Sequence, residues 1–218
     1  MLYHYLDGST YENKSIKDIC NSTDKIAEII LDENVKKELL NLKKQFEVAF
    51  EKEKSKSWNE FQALSGKELF KQDYFLNRKG FRIHFMIPNA LKLIECGNYK
   101  RLNDVDCSLF TTKTDACSSK MIKYSDIKIS KTETDFFSAL VEPIILIPYY
   151  YGAIQYLVID GNHRVTAKIT EHKPINCYVV NPLDNISVFT SEAEKYYYML
   201  NRFAGELPAN VVNTSALL

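Results

Sequence analysis

The sequence has no excess charge of either sign: among its 218 residues, 28 Lys and Arg stand against 28 Asp and Glu. Holding a polyanion over a whole surface needs a positive field, so extended, sequence-independent DNA binding is disfavoured, although a local basic cleft is compatible with the balance. Long apolar runs are missing too. No window approaches the roughly 20 apolar residues of a membrane span, and the opening Met1 to Asp7 has no basic stretch followed by an apolar one. These absences predict a cytoplasmic protein with no membrane partner. No CxxC pair occurs. The five cysteines, Cys20, Cys96, Cys107, Cys117 and Cys177, are scattered and odd in number, which reads as reduced thiols. Cys107 and Cys117 are close in sequence, but no histidine or further cysteine completes a tetrahedral set, so no metal site is expected there. His84 and His172 have no partner at ligand spacing and are expected to be structural or exposed; His4 lies near the chain end. There is no internal repeat or low-complexity tract.

What is present is an apolar fraction of 45%, enough for an ordinary core. Residues 1–20 are polar and aromatic, and Asp7-Gly8-Ser9 marks a turn between two short, extended pieces. Residues 24–31 predict a short helix and 33–54 a long one, because Val35, Leu39, Leu42, Phe46 and Phe50 recur at spacings of three and four. Further helices are expected over 57–64, around the single tryptophan Trp58, and over 66–76. Residues 82–86 alternate loosely. Pro88 then suits the first turn of a helix that stops at Gly97. The polar stretch 101–121 is the candidate exposed connection and boundary.

Beyond residue 122 short apolar runs alternate with helical segments. Strands are expected at 127–129, 143–148, 156–159 and 175–180, and a helix at 162–170. A last helix starts near Ser191, with Glu194 at capping-box spacing, and ends at Gly205; the tail after Pro208 is expected to be loose. The fold class is therefore α/β (α+β): a mostly helical region, 1–121, followed by a mixed sheet with helices, 122–218, or one continuous domain.

The chemistry concentrates at the end of the third of those strands. Asp160-Gly161 turns the chain sharply, and a helix begins at once with Asn162-His163-Arg164-Val165-Thr166-Ala167. The first turn of a helix has unpaired N–H groups and the positive end of the helix dipole, which favour an anion. Gly161 would allow close approach of the ligand, Arg164 a bidentate fork onto phosphate, and Asn162, His163 and Thr166 further donors. Geometry and charge both point to phosphate.

Here the sequence resembles the ParB/sulfiredoxin-like superfamily, which includes chromosome-partitioning proteins, sulfiredoxins and a free-serine kinase branch. Gly161-Asn162-His163-Arg164-Val165-Thr166-Ala167 is similar to the partitioning proteins' glycine, two residues, arginine, two residues, alanine. Gly161 to Arg164 resembles the Gly-Cys-His-Arg of sulfiredoxins, and Asp160 to Arg164 an Asp-Gly-His-His-Arg-like element of the kinases. Upstream, Leu140-Val141-Glu142-Pro143-Ile144-Ile145-Leu146 looks like the family's Leu-Gln-Pro-Ile-type strand. The likeness covers roughly residues 127–180. It implies a ParB/sulfiredoxin-like sheet and a site for the phosphates of ATP or CTP, usually with magnesium. The departures are equally specific. Asn162 stands where sulfiredoxins have their cysteine, which argues against that chemistry, and the residues after Val180 are too few for the helix-turn-helix and dimerisation domains of partitioning proteins.

Catalysis would need a base or metal-holding carboxylate beside the phosphates. Asp160 is the first candidate, by resemblance to the kinases, and Glu142, before Pro143, the second. With a hydroxyl acceptor the result is a phosphotransferase, and with water a nucleoside triphosphatase. Each residue has a plainer role: Asp160 as a helix cap, Glu142 at a strand entrance, and Thr132 or Thr134 capping a helix near Asp135. The tyrosine triplets at 149–151 and 196–198 cannot form one stacking face, because consecutive side chains diverge. The run Lys52 to Lys56, diluted by glutamate, reads as a solvated helix end. The competing expectations are a nucleotide-dependent enzyme, a DNA-associated module or nuclease, and a non-catalytic nucleotide sensor whose helical half binds a protein partner.

Overall fold

The computed structural model describes residues 14–53, 68–76, 79–113, 120–184 and 187–212. Along the chain these form α1 (Lys14–Ile29), α2 (Glu33–Glu53), β1 (Leu69–Leu76), β2 (Lys79–Met86), α3 (Ile87–Glu95), β3 (Lys100–Val105), a 3-10 turn (Cys107–Leu109), β4 (Phe110–Thr111), β5 (Ile122–Lys123), α4 (Lys131–Ala139), β6 (Ile144–Tyr151), β7 (Ile154–Asp160), α5 (Asn162–Thr170), β8 (Ile175–Val179), α6 (Glu192–Glu206) and a 3-10 turn (Ala209–Val211). The helix expected at 57–64, with Trp58, and residues His4 and Cys117 lie outside the described residues. The chain is a mixed α/β protein that divides into two units, residues 1–85 with 189–218, and residues 86–188.

Among the described residues, the first unit is helical with one hairpin. The three-and-four spacing of Leu39, Leu42, Phe46 and Phe50 puts them on one buried stripe of α2. Phe46 there meets Phe81 of β2 and Tyr197 of α6 at ring-centroid distances of 5.6 and 5.7 Å. Asp32 caps α2 by accepting from the N–H groups of Asn34 and Val35. Helix α1 begins ten residues before the expected position, at Lys14, and takes in part of a stretch read as extended.

The expected helix over 66–76 is instead a strand from Leu69. Its side chains show the two-residue period of a half-buried strand: Tyr74 and Leu76 are buried while Phe75, between them, is exposed. Asp73 holds Arg82 across the hairpin by two bonds, 2.7 and 3.1 Å. The tail expected to be loose is pinned as far as Val212, which bridges Ile30, while Leu31 donates to the Val211 carbonyl.

The second unit is a six-stranded mixed sheet in the order β3-β8-β6-β7-β5-β4. The β6–β7 and β3–β8 pairs are antiparallel, and β6–β8, β5–β7 and β4–β5 are parallel. Residues 100–105, within or beside the expected connection, pair with β8 as an edge strand. The strand expected at 127–129 is absent; the ladder ends at Lys123, and the Ser125 N–H is taken by the Asn162 side chain rather than by a neighbouring strand. Helix α3 has Pro88 in its first turn as expected and ends at Glu95, with Cys96 as its C-cap and Gly97, at φ 78°, just beyond. Helix α4 starts at Lys131, with a full capping box between Ser130 and Glu133, so neither Thr132 nor Thr134 is its cap.

Ile144, Leu146, Val158, Val165, Ile175 and Cys177 form the core between the sheet and α5. Burying a side chain of the size of Val165 contributes about 1.5–3 kcal/mol, which fixes the rotation of α5 and so the placement of its first turn.

Candidate functional site

Strand β7 is an interior strand, and its carboxyl end lies beside the amino end of β6, where Asp160 pairs with Ile145. Gly161 follows at φ 89°, a left-handed conformation that L side chains rarely adopt. A Cβ there would lie 2.6 Å from Ile144 Cγ2 and 3.0 Å from an Arg164 guanidinium nitrogen. The missing side chain therefore makes room for the protein's own β6 and Arg164. Helix α5 then begins with no side chain capping its first turn, and its first backbone bond runs from the Val165 N–H to the Gly161 carbonyl. Unpaired N–H groups and the dipole's positive end are both present there.

Arg164 is anchored. Its Nη1 donates to the carbonyls of Glu142 and Pro143 at 3.0 and 3.2 Å, and its Nη2 to Asp160 Oδ2 at 3.0 Å. One guanidinium thus bridges the backbone of Glu142 and the carboxylate of Asp160, the two residues singled out as candidate catalysts. A guanidinium has five N–H donors, so Nε–H and one Nη2 proton remain beyond those three bonds. Asp160 does not cap α5; its side chain is 30% exposed and paired with Arg164. Glu142 is exposed.

Asn162 is buried, and its Oδ1 accepts from the Ser125 N–H at 2.8 Å, which ties α5 to the segment after β5. His163 is exposed and stacks on Phe137 of α4 with ring centroids 5.1 Å apart and 29° between planes. Thr166 Oγ1 is enclosed without a hydrogen-bond partner.

Lys168 completes the site and is absent from the sequence reading. Burial and the neighbouring charges of Lys173 and Arg164 push its pKa below the ordinary lysine value, with Glu142 acting in the opposite direction. The signal was available in the spacing: Asp160, Arg164 and Lys168 are each four residues apart, which puts Arg164 and Lys168 on one face of α5. The result is a half-buried cation in the last turn of α5 with two like-charged neighbours, while the first turn of the same helix is uncapped. An anion relieves both conditions.

Elsewhere one expectation holds and one needs revision. His84 is structural, as expected: it is 2% exposed, and its Nδ1 lies 2.7 Å from Oε1 of the fully buried Glu194. Glu53, read as part of a solvated helix end, is buried, and its Oε1 accepts from the N–H groups of Glu192 and Ala193 at 2.8 and 3.2 Å. Both serve the first unit. Among the described residues no group of three His, Cys, Asp or Glu is placed to hold a metal ion, and no helix is long and apolar enough to cross a membrane.

Compared with protein-family models, curated proteins and solved structures, the chain matches none.

Proposed function

We propose that the first turn of α5, Asp160 to Arg164, binds the phosphate groups of a nucleotide of the ATP or CTP kind. The observation that carries this reading is an uncapped helix start entered through left-handed Gly161, with Lys168 one turn beyond Arg164 on the same helix face and crowded by Arg164 and Lys173. Backbone N–H groups and Lys168 supply the main attraction. Arg164 adds at most its two remaining donors, because its other bonds brace the turn.

An aromatic surface beside the turn favours a nucleotide over bare phosphate. His163 stacks on Phe137, and Phe137 meets the exposed ring of Phe136 at 5.1 Å. A base laid on such rings gains about 1–3 kcal/mol. Magnesium fits the donor set in its usual form, held by one or two carboxylates and by the phosphates themselves. Asp160 Oδ1 and the exposed Glu142 carboxylate would be the protein's share, and the ion would neutralise phosphate charge.

The Asp160–Arg164 pair favours a sensor over a phosphotransferase, since it commits one oxygen of the candidate base to bracing the turn. Calorimetric titration with ATP, CTP and GTP in magnesium tests binding, and heat from none of the three overturns the reading. Measurement of phosphate release by the wild type and by Asp160→Asn then separates the classes. Turnover lost with binding kept identifies an enzyme; no turnover in the wild type identifies a sensor.

A further inference from the structure

The far end of α5 borders an open cavity of about 720 Å³, between the 3-10 turn at Cys107–Leu109, β4 and the residues after β5. None of residues 160–166 lines it. Its volume falls in the range of small-molecule sites, about 300–1,000 Å³. Phe110, Tyr124 and Ile169 give it an apolar wall, whereas Lys113, Lys120 and His172 supply cations, and no carboxylate is among the described lining residues. Thr111, 9% exposed, accepts the Lys113 N–H at 3.1 Å, which leaves its own hydroxyl proton as a donor.

His172 adds an independent observation. It has φ 53° and follows the C-cap residue of α5, where its N–H reaches the Ile169 carbonyl and the Lys173 N–H reaches the Lys168 carbonyl. That closure is one for which glycine is preferred. A histidine there gives up backbone stability and places an imidazole on the cavity wall.

We propose that this cavity binds a small aromatic phosphomonoester. Lys113, Lys120, His172 and Thr111 hold the phosphate, and the ring rests against Phe110, Tyr124 and Ile169. A carboxylate offers fewer acceptors to so many donors, and an uncharged ring would leave the cations unanswered. The site is separate from the α5 turn and does not depend on the reading of that turn.

Calorimetric titration with phenyl phosphate reads binding, and mass-mapped alkylation of the cavity cysteine Cys107 locates it, with exposed Cys96 as the internal control. The expected result is binding that slows Cys107 alkylation without affecting Cys96. It is weakened about tenfold or more, the worth of one good charged hydrogen bond, in Lys113→Ala/Lys120→Ala and in His172→Gly. His172→Gly is expected to keep or raise the denaturation midpoint, so its loss of binding cannot come from unfolding. Lys168→Gln is expected to leave the protection of Cys107 by phenyl phosphate as in the wild type. No heat and no protection overturns the proposal. So does equal protection by phenol, or binding that survives the double lysine variant and disappears in Lys168→Gln, which would assign the phosphate to the turn instead.

Discussion

Gly161 is constrained both by its backbone and by its neighbours. Its φ of 89° penalises any Cβ, and that Cβ would lie 2.6 Å from a methyl group of the buried Ile144. Left-handed strain is worth about 1–2 kcal/mol and overpacking about 1–3, so Gly161→Ala is expected to lose roughly 2–5 kcal/mol in urea unfolding. Thr166 presents the opposite case. Its enclosed hydroxyl has no partner, and a buried unsatisfied group costs about 1–3 kcal/mol. Thr166→Val keeps the shape and removes that group, so it is expected to stabilise by about 1 kcal/mol and leave nucleotide affinity unchanged in calorimetry. These two residues also show what sequence could reveal. A glycine between a strand and a helix predicts its own left-handed turn. That the space is filled by Ile144 and Arg164 rather than by a ligand depends on a strand beginning 17 positions upstream of Gly161, and no local pattern encodes it.

At the scale of elements, helices α2 and α5 and strands β6 to β8 were legible because their apolar periods are clean. Strand β1 was not: in Leu-Phe-Lys-Gln-Asp-Tyr-Phe-Leu, apolar residues at both ends satisfy a helical spacing as well as an alternating one. The hairpin with β2 decides between them, through the Asp73–Arg82 pair. Capping shows the same division. Ser191 caps α6 as its spacing with Glu194 suggests, its Oγ accepting from the Glu194 N–H, but the Glu194 carboxylate accepts from Thr190 and faces His84 instead of returning to the Ser191 N–H. The first two N–H groups of α6 are instead answered by Glu53, 139 and 140 positions away. Removing a buried carboxylate acceptor strands both donors. Glu53→Ala is therefore expected to cost about 2 kcal/mol, measured by thermal or urea unfolding, with Glu53→Gln recovering part of the loss through its remaining acceptor. The α5 turn and its binding do not draw on this cap.

At the scale of the whole molecule, equal numbers of opposite charges leave no general attraction for a polyanion, so anion binding must come from local arrangements. Lys168 is where that can be tested by pH. Burial, Lys173 and Arg164 lower its pKa; between that lowered value and the ordinary lysine value the unfolded chain binds more protons. Stability therefore rises with pH across this alkaline window, and below it the penalty is present in full. A bound phosphate reverses the local sign and raises the pKa of Lys168, so binding takes up a proton wherever the free protein has lost it. Nucleotide affinity is accordingly expected to fall as pH rises through the window. Lys168→Gln removes the buried charge: it should be at least as stable as the wild type at neutral pH, bind nucleotide about tenfold more weakly, and show a flatter alkaline limb. Calorimetry and urea unfolding across that range check all three. A variant that loses stability while its affinity and pH profile stay as in the wild type would make Lys168 a packing residue and detach the proposed phosphate site from the cation that distinguishes it.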